Sequence, residues 1–363
     1  MPARHVRAMR LLWVVPALAA LGCAVTPIDR FETVIVDEAV VALAPEGAVE
    51  GADRIDNRAL VGKLGLRSGQ IVVSEQGGAD SLFVSLMAQE YRPFVHAGIV
   101  AIDDGEPYVY EQNATLWPHL SGPPTRAMSG SVRRVPLAEF LARHRVVGLH
   151  SNPAGTDGDA VAGFAREHHR RGTAFDPFFD SDDPRAMYCT EFVALGLAAG
   201  GARVEPVPLT RNESVATVLR WLDISTDRIH TAGSLVAGAP RIALLAPRDS
   251  PDELAMYFEL RRELHRRFTP DQKLGNLLHW SWSGLKLREG VRTYLRAGLA
   301  AARAGTPADD AARVVLAKLL AVNLLGPYEE PAQLVQTDHV PVIQRELSLR
   351  HDHRGHARRK ARR

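Results

Sequence analysis

The stretch that most constrains this 363-residue chain is Asp103-Asp104-Gly105-Glu106, which separates two apolar, β-rich runs, Phe94–Ile102 and Pro107–Gln112. Asp-Gly between such runs is a strong hairpin signal, because a type I′ turn needs positive φ at both central residues. With a two-residue turn at 104–105, position 103 pairs with 106 and position 98 with 111. Directly opposed residues share a face, and so do residues two apart on one strand. His96 and Glu111 then lie on one face as diagonal neighbours, where a carboxylate can orient an imidazole and stabilise its charged form. A one-residue change of register would put them on opposite faces.

The flanking patterns predict an α+β domain. Val61–Ser74 holds a turn at Ser68-Gly69 and then a β-rich run, and Ser81–Tyr91 carries Leu82, Leu86 and Met87 at helical spacing. Val132–Val135 and Val146–Leu149 are short strands, with a helix over Leu137–Arg143 opened by Pro136. Helices follow over Ala160–Arg171, from Cys189 through Leu197 to a stop at Gly200-Gly201, and over Ser214–Leu222; Arg241–Ala246 is the last strand. Beyond Pro247 the spacing predicts helices over Asp252–Phe268, Leu274–Arg303 and Ala308–Leu325, with no strands among them. The expected plan is a domain over 60–248 and a helical extension over 249–345, without internal repeats.

The two ends carry the signals of location. Arg4, Arg7 and Arg10 precede an apolar run, Leu11–Leu21, far short of the ~20 residues of a membrane-spanning helix but suited to an export signal. It closes on Ala19-Ala20-Leu21-Gly22-Cys23, which resembles the bacterial lipobox, with Ala20 where Leu is commoner. That resemblance implies that residues 1–23 are a lipoprotein signal with lipobox Cys23, cleaved before Cys23 so that the lipidated Cys23 becomes the N-terminus. Residues 24–59 would then be a tether and lead-in, and the protein would sit on the periplasmic or cell-surface side of a bacterial membrane. A plain secretory signal is the alternative. At the other end, His351–Arg363 carries five Arg and one Lys against one Asp, so it holds +5 of a net +2 and leaves −3 for the remainder. Only this tail, within residues 346–363, is basic. Its composition reads as disordered, suited to anionic lipid headgroups or envelope polymers or simply solvated. Nucleic acid is not an expected partner.

The chain has two cysteines. With lipid on Cys23, Cys189 is alone, there is no disulfide framework, and an unpaired thiol in an oxidising compartment calls for a reason. Cys189 lies in Met187-Tyr188-Cys189-Thr190-Glu191-Phe192, at the first turn of the expected helix. Backbone N–H groups and the helix dipole there favour a thiolate and can face the oxyanion of a tetrahedral intermediate. Taken singly, Cys189 also reads as an inert buried thiol, His96 as a hydrogen-bonded core residue and Glu111 as a surface carboxylate.

Together, Phe94-Val95-His96-Ala97-Gly98-Ile99-Val100, Glu111, Phe175-Asp176-Pro177-Phe178-Phe179-Asp180 and Tyr188-Cys189-Thr190-Glu191-Phe192-Val193 resemble the circularly permuted papain-like amidases of the YaeF/YiiX group, NlpC/P60 superfamily. The resemblance covers residues 60–245. It implies an antiparallel sheet and a Cys-bearing helix, with Cys189 as nucleophile, His96 as base and Glu111 as orienter, and it implies neither cofactor nor metal. It implies a cysteine amidase or peptidase acting on cell-wall peptide; a thiol acyltransferase or lipid hydrolase, or a silent binding lipoprotein, are the alternatives. Gln70 departs from the family's Asp after Gly69. Phe175–Asp180 is expected to pack and to lead into the Cys helix, with direct substrate contact as the alternative. His168-His169 are adjacent, so they do not share a helix face and are expected on a solvated helix. His351, His353 and His356 lie in the tail, a poor preorganised metal site. Leu277-Leu278-His279-Trp280-Ser281-Trp282 is expected to pack as an amphipathic helix, with a lid or membrane-facing role as the alternative.

Overall fold

The structure, a computed structural model, describes residues 33–36, 39–41, 56–116 and 128–327, except 177, 178, 180, 182, 184, 222, 223, 225, 247, 248, 269, 282, 283, 307 and 308. Cys23 with its export signal and the basic tail with its histidines lie outside the described residues. The chain is α+β, and it divides into two units: residues up to Ser250 together with Phe268–Leu287, and Pro251–Arg267 together with the residues from Arg288 on.

In the first unit the elements run β1 (Thr33–Val36), β2 (Ala39–Val41), α1 (Ala59–Leu64), β3 (Ile71–Glu75), α2 (Gly78–Met87), β4 (His96–Asp103), β5 (Glu106–Leu116), β6 (Met128–Pro136), α3 (Leu137–Arg143) and β7 (Val146–His150). They continue with α4 (Gly158–Arg171), β8 (Ala174–Phe175), β9 (Ala186–Met187), α5 (Cys189–Ala199), β10 (Val207–Pro208), α6 (Glu213–Trp221), β11 (Arg228–Ile229), α7 (Ala232–Leu235) and β12 (Arg241–Ala246). One sheet takes ten strands in the order β2-β1-β12-β7-β3-β4-β5-β6-β8-β9. Every neighbouring pair in it is antiparallel except β8–β9.

The hairpin fixes the sheet's centre. Asp104 and Gly105 have φ of 53° and 79°, the type I′ geometry, and Asp103 pairs with Glu106. Val100 and Val109 are therefore opposed, and both belong to the core formed with α1 and α3 around Leu60, Leu137, Phe140 and Leu141. The opposite face carries α5, where Gly196 lets the helix backbone approach Ile99: a Cβ at 196 would stand 2.6 Å from Ile99 Cδ1. At the turn before β3, Gly69 takes φ of 88° and donates its N–H to Val100 O at 2.8 Å. Gln70 Oε1 accepts from Arg67 N–H at 2.9 Å and so closes this turn.

Within the segment expected as a tether and lead-in, Thr33-Val34-Ile35 pairs with β12 and Val34-Ile35-Val36 with β2, which adds both strands to the sheet edge. One expectation is corrected. The helix expected over Leu274–Arg303 is broken into a 3-10 turn (Leu274–Asn276) and a hairpin of β13 (Leu278–Ser281) and β14 (Gly284–Leu287) before a helix begins at Glu289. Leu278, Trp280, Leu285 and Leu287 alternate with His279, Ser281, Gly284 and Lys286, a period of two that apolar spacing alone mistook for a helix. Leu274 N–H donates to Ser214 Oγ at 2.9 Å, and Asn212 Nδ2 donates to Gln272 O at 2.7 Å, which holds this excursion in the first unit.

The second unit consists of α8 (Pro251–Arg267), α9 (Glu289–Arg303) and α10 (Asp310–Leu325). Gly298 brings α9 against α8, since a Cβ there would meet Leu260 Cδ1 at 2.5 Å. Tyr294, fully buried, donates to Leu260 O at 3.3 Å, and Arg313 pairs with Asp252 at 2.7 Å. Among the described residues no helix is long and apolar enough to cross a membrane.

Candidate active site

Cys189 is the first residue of α5, half-buried and free of any disulfide. Tyr188 before it is extended, and the buried Glu191 accepts from Tyr188 N–H at 3.3 Å, turning the chain from β9 into the helix. The first backbone N–H groups of a helix have no acceptor within it, so this position places donors beside the sulfur. The residues on either side of Cys189 are tied to one further segment: Thr190 Oγ1 donates to His230 O at 2.6 Å, and His230 N–H donates to Tyr188 Oη at 3.0 Å.

His96 opens β4 and Glu111 lies in β5. The register pairs Val100 with Val109 and Ile99 with Tyr110, and a Cβ on Gly98 would stand 3.6 Å from Glu111 Cβ, so by strand alternation His96 and Glu111 share the face that also carries Val100 and Val109. Nε2 of His96 and Oε2 of Glu111 are 2.7 Å apart. Gly98 makes this approach possible, because a Cβ there would stand 2.6 Å from Val109 Cγ1 and 2.9 Å from Tyr110 O. With Nε2 engaged by Glu111, Nδ1 is the ring nitrogen left for Cys189, whose side chain acts on the imidazole through charge and a hydrogen bond.

Electrostatics couple the three. Burial works against a charged His96, but its interactions with Cys189 and with the Glu111 carboxylate outweigh it and raise the imidazole well above its ordinary value. Burial also opposes the charge on Glu111. The bond to His96, its charge and the Arg143 guanidinium, 3.8 Å from Oε1, overcome that and bring the carboxyl down to about 2.

No local motif marked the layer beneath His96. His144 follows α3, is buried, and stacks on His96 with ring centroids 5.8 Å apart and planes 9° apart. Its Nδ1 donates to Phe140 O at 2.7 Å, which leaves Nε2 to accept from the Gln76 amide at 3.2 Å. Burial first, then the charge on His96, lowers His144 to about 4, so it is neutral beside its charged neighbour. Its only visible precursor was its place one residue past an expected helix.

Around Cys189 and His96 lies a cleft with mostly apolar walls, among them Val84, Met87, Phe94 and Ile229. Phe175 and Phe179, from the segment expected to pack or to contact substrate, line it as well. Phe179 sits on the Tyr188 ring at 4.9 Å and takes φ of 54°, a strained value for a bulky side chain. Four polar atoms of cleft-lining residues are buried without a hydrogen-bond partner: Asp80 Oδ1, Arg92 Nε, Gln112 Oε1 and His230 Nδ1. None of these four residues stood out in the sequence. His168 and His169 are not merely solvated: their Nδ1 atoms bond Thr173 Oγ1 and Val132 O, each at 2.8 Å, and tie the end of α4 to the sheet. Among the described residues no group of three or more His, Cys, Asp or Glu is placed to hold a metal ion.

No protein-family model matches the chain, and no curated protein matches it. Among solved structures it is similar to the metalloprotein YiiX of Escherichia coli O157:H7, with 18% identity, coverage of 50% of this chain and 97% of that one, and a TM-score of 0.37.

Proposed function

We propose that the chain is a cysteine hydrolase of the permuted papain-like kind, in which Cys189 attacks the carbonyl carbon of an amide. The observation that carries this reading is the position of His96 between Cys189 and the buried Glu111, with the imidazole held charged. An imidazolium beside a thiolate is the ground state an acyl-transfer nucleophile needs. The thiolate adds to the carbonyl, and backbone N–H groups at the start of α5 face the resulting oxyanion. The C–N bond breaks as His96 gives its proton to the leaving amine, leaving a thioester on Cys189. Water then adds to the thioester with its proton taken by His96, and the thiolate leaves as the acid is released.

Cell-wall peptide is the proposed substrate, and lipid on Cys23 would hold the enzyme at the envelope surface. The apolar cleft walls favour a second reading, hydrolysis or transfer of a lipid acyl group by the same three residues. Muropeptides against phospholipids, each tested with wild type and Cys189→Ser, separate the two readings. Alkylation tests the shared chemistry: at pH 6, iodoacetamide should modify Cys189 at least about tenfold faster in wild type than in His96→Ala. Equal rates would sink the hydrolase reading and leave a binding protein.

A further inference from the structure

The cleft presents two acceptor oxygens with nothing to accept. Gln112 is fully buried, and its amide is fixed because Nε2 donates to Thr173 O at 3.0 Å and to Ala174 O at 2.9 Å. Oε1 is the atom left over, buried and unpartnered. Asp80, in the first turn of α2, also has a buried, unpartnered Oδ1. An acid at the third helical position can reach back to the N–H of the cap residue, and Oδ1 makes no such bond. Lys286 of β14 acts on Asp80 through space, but among the described residues no ion pair joins them. Burial, against that cation, pushes the carboxyl up to about 7. Asp80 and Val84 line the cleft one turn apart on α2, a rise of about 6 Å, and Ala88 lines it just past the helix end.

A buried acceptor left unmet is costly, and a charged one more so. A plain alkyl chain would cover both oxygens and satisfy neither. An ammonium group brings three donors and the opposite charge, and an amide or amine N–H suits the neutral Oε1. Arg92 Nε and His230 Nδ1, the cleft's other unmet atoms, leave room for an acceptor on the same molecule, and Arg92 already holds Glu90 at 2.7 Å.

We infer that this cleft selects substrates bearing a protonated amine, with Asp80 as its counter-charge and Gln112 Oε1 receiving an N–H of the chain between the amine and the scissile carbonyl. The inference rests on Cys189 being the acyl acceptor and names the substrate class of that site.

The test uses the full chain and irreversible probes of Cys189: N-(aminoalkyl) chloroacetamides with two to six methylenes, compared with N-alkyl chloroacetamides of equal length. At pH 7.5 the best ammonium probe should label Cys189 about tenfold or more faster than its neutral partner. In Asp80→Asn that ratio should fall to near one, and in Asp80→Glu a preference should persist with its optimum at a shorter probe. A ratio near one in wild type, or a preference that survives Asp80→Asn in folded protein, overturns the inference while leaving the nucleophile in place. Labelling of Cys189 no faster than that of free cysteine by either probe would remove the hydrolase reading and this inference together. Asp80→Glu keeps the question decidable should Asp80→Asn fold poorly.

Discussion

His96 Nε2 stands 2.7 Å from Glu111 Oε2, and the carboxylate is the more deeply buried of the two, at 2% side-chain exposure against 13%. A buried carboxylate with one strong partner orients that partner firmly, because leaving the charge unpaired would be costly. The arrangement gives the imidazole one fixed plane and one free nitrogen, Nδ1, toward Cys189.

Glu111→Gln keeps the shape of this contact and removes the charge. His96 then loses the carboxylate's part of the support that holds it protonated. Turnover, once a substrate is in hand, should fall by about 10²–10⁴-fold, and the rate of Cys189 alkylation at pH 6 should fall with it. A variant that alkylates like wild type would mean that Glu111 serves the fold alone.

Gly98→Ala tests the register that brings the pair together. The added methyl would meet Val109 Cγ1 at 2.6 Å and the backbone oxygen of Tyr110 at 2.9 Å, and a backbone atom cannot yield as a side-chain tip can. The β4–β5 pair must move apart where His96 reaches Glu111. Urea unfolding should show a loss of about 1–3 kcal/mol, accompanied by slower alkylation of Cys189. A stable variant of full reactivity would show that the strands accommodate the methyl without shifting the pair.

The hairpin was legible because Asp104-Gly105 admits few turn geometries, and a fixed turn fixes the register behind it, which sets His96 and Glu111 on one face as diagonal neighbours. The start of α5 was legible from an apolar run closed by Gly200-Gly201. What lay hidden depends on packing between distant segments. Gln76 and His144 meet 68 residues apart, and Gln112 points its amide at carbonyls more than 60 residues away. No local pattern encodes either meeting. The β13–β14 hairpin was misread for another reason: short apolar runs fit both periods, and only the pairing of Leu278 with Leu287 and Trp280 with Leu285 decides between them.

Acid should unfold the protein in two windows. His144 is depressed to about 4 in the fold against an ordinary value of 6.5, so the unfolded chain binds its proton first and stability falls as pH drops from 6.5 to 4. Glu111 is depressed to about 2 against 4.5, so the stability it contributes is present above 4.5 and lost between 4.5 and 2. Each window is worth on the order of 3 kcal/mol. His144→Leu should flatten the upper window and leave the lower one, as read from urea midpoints at half-unit steps of pH. An unchanged upper slope would assign that loss to another group.

Phe179 offers a reversal of the usual order of substitutions. Its φ of 54° costs a side-chain-bearing residue about 1–2 kcal/mol, a cost that glycine escapes. Its ring also covers Tyr188 at 4.9 Å and walls the cleft. Phe179→Ala loses the ring and keeps the strain, whereas Phe179→Gly loses the ring and releases it. Glycine should therefore be the more stable of the two by about 1 kcal/mol, although at an unstrained position it would be the less stable. Both variants should weaken substrate binding alike, raising KM more than they lower kcat, since neither touches Cys189, His96 or Glu111. If alanine proves the more stable, the backbone at 179 relaxes to negative φ once the ring is gone, and the ring itself is what holds the strained turn against Tyr188.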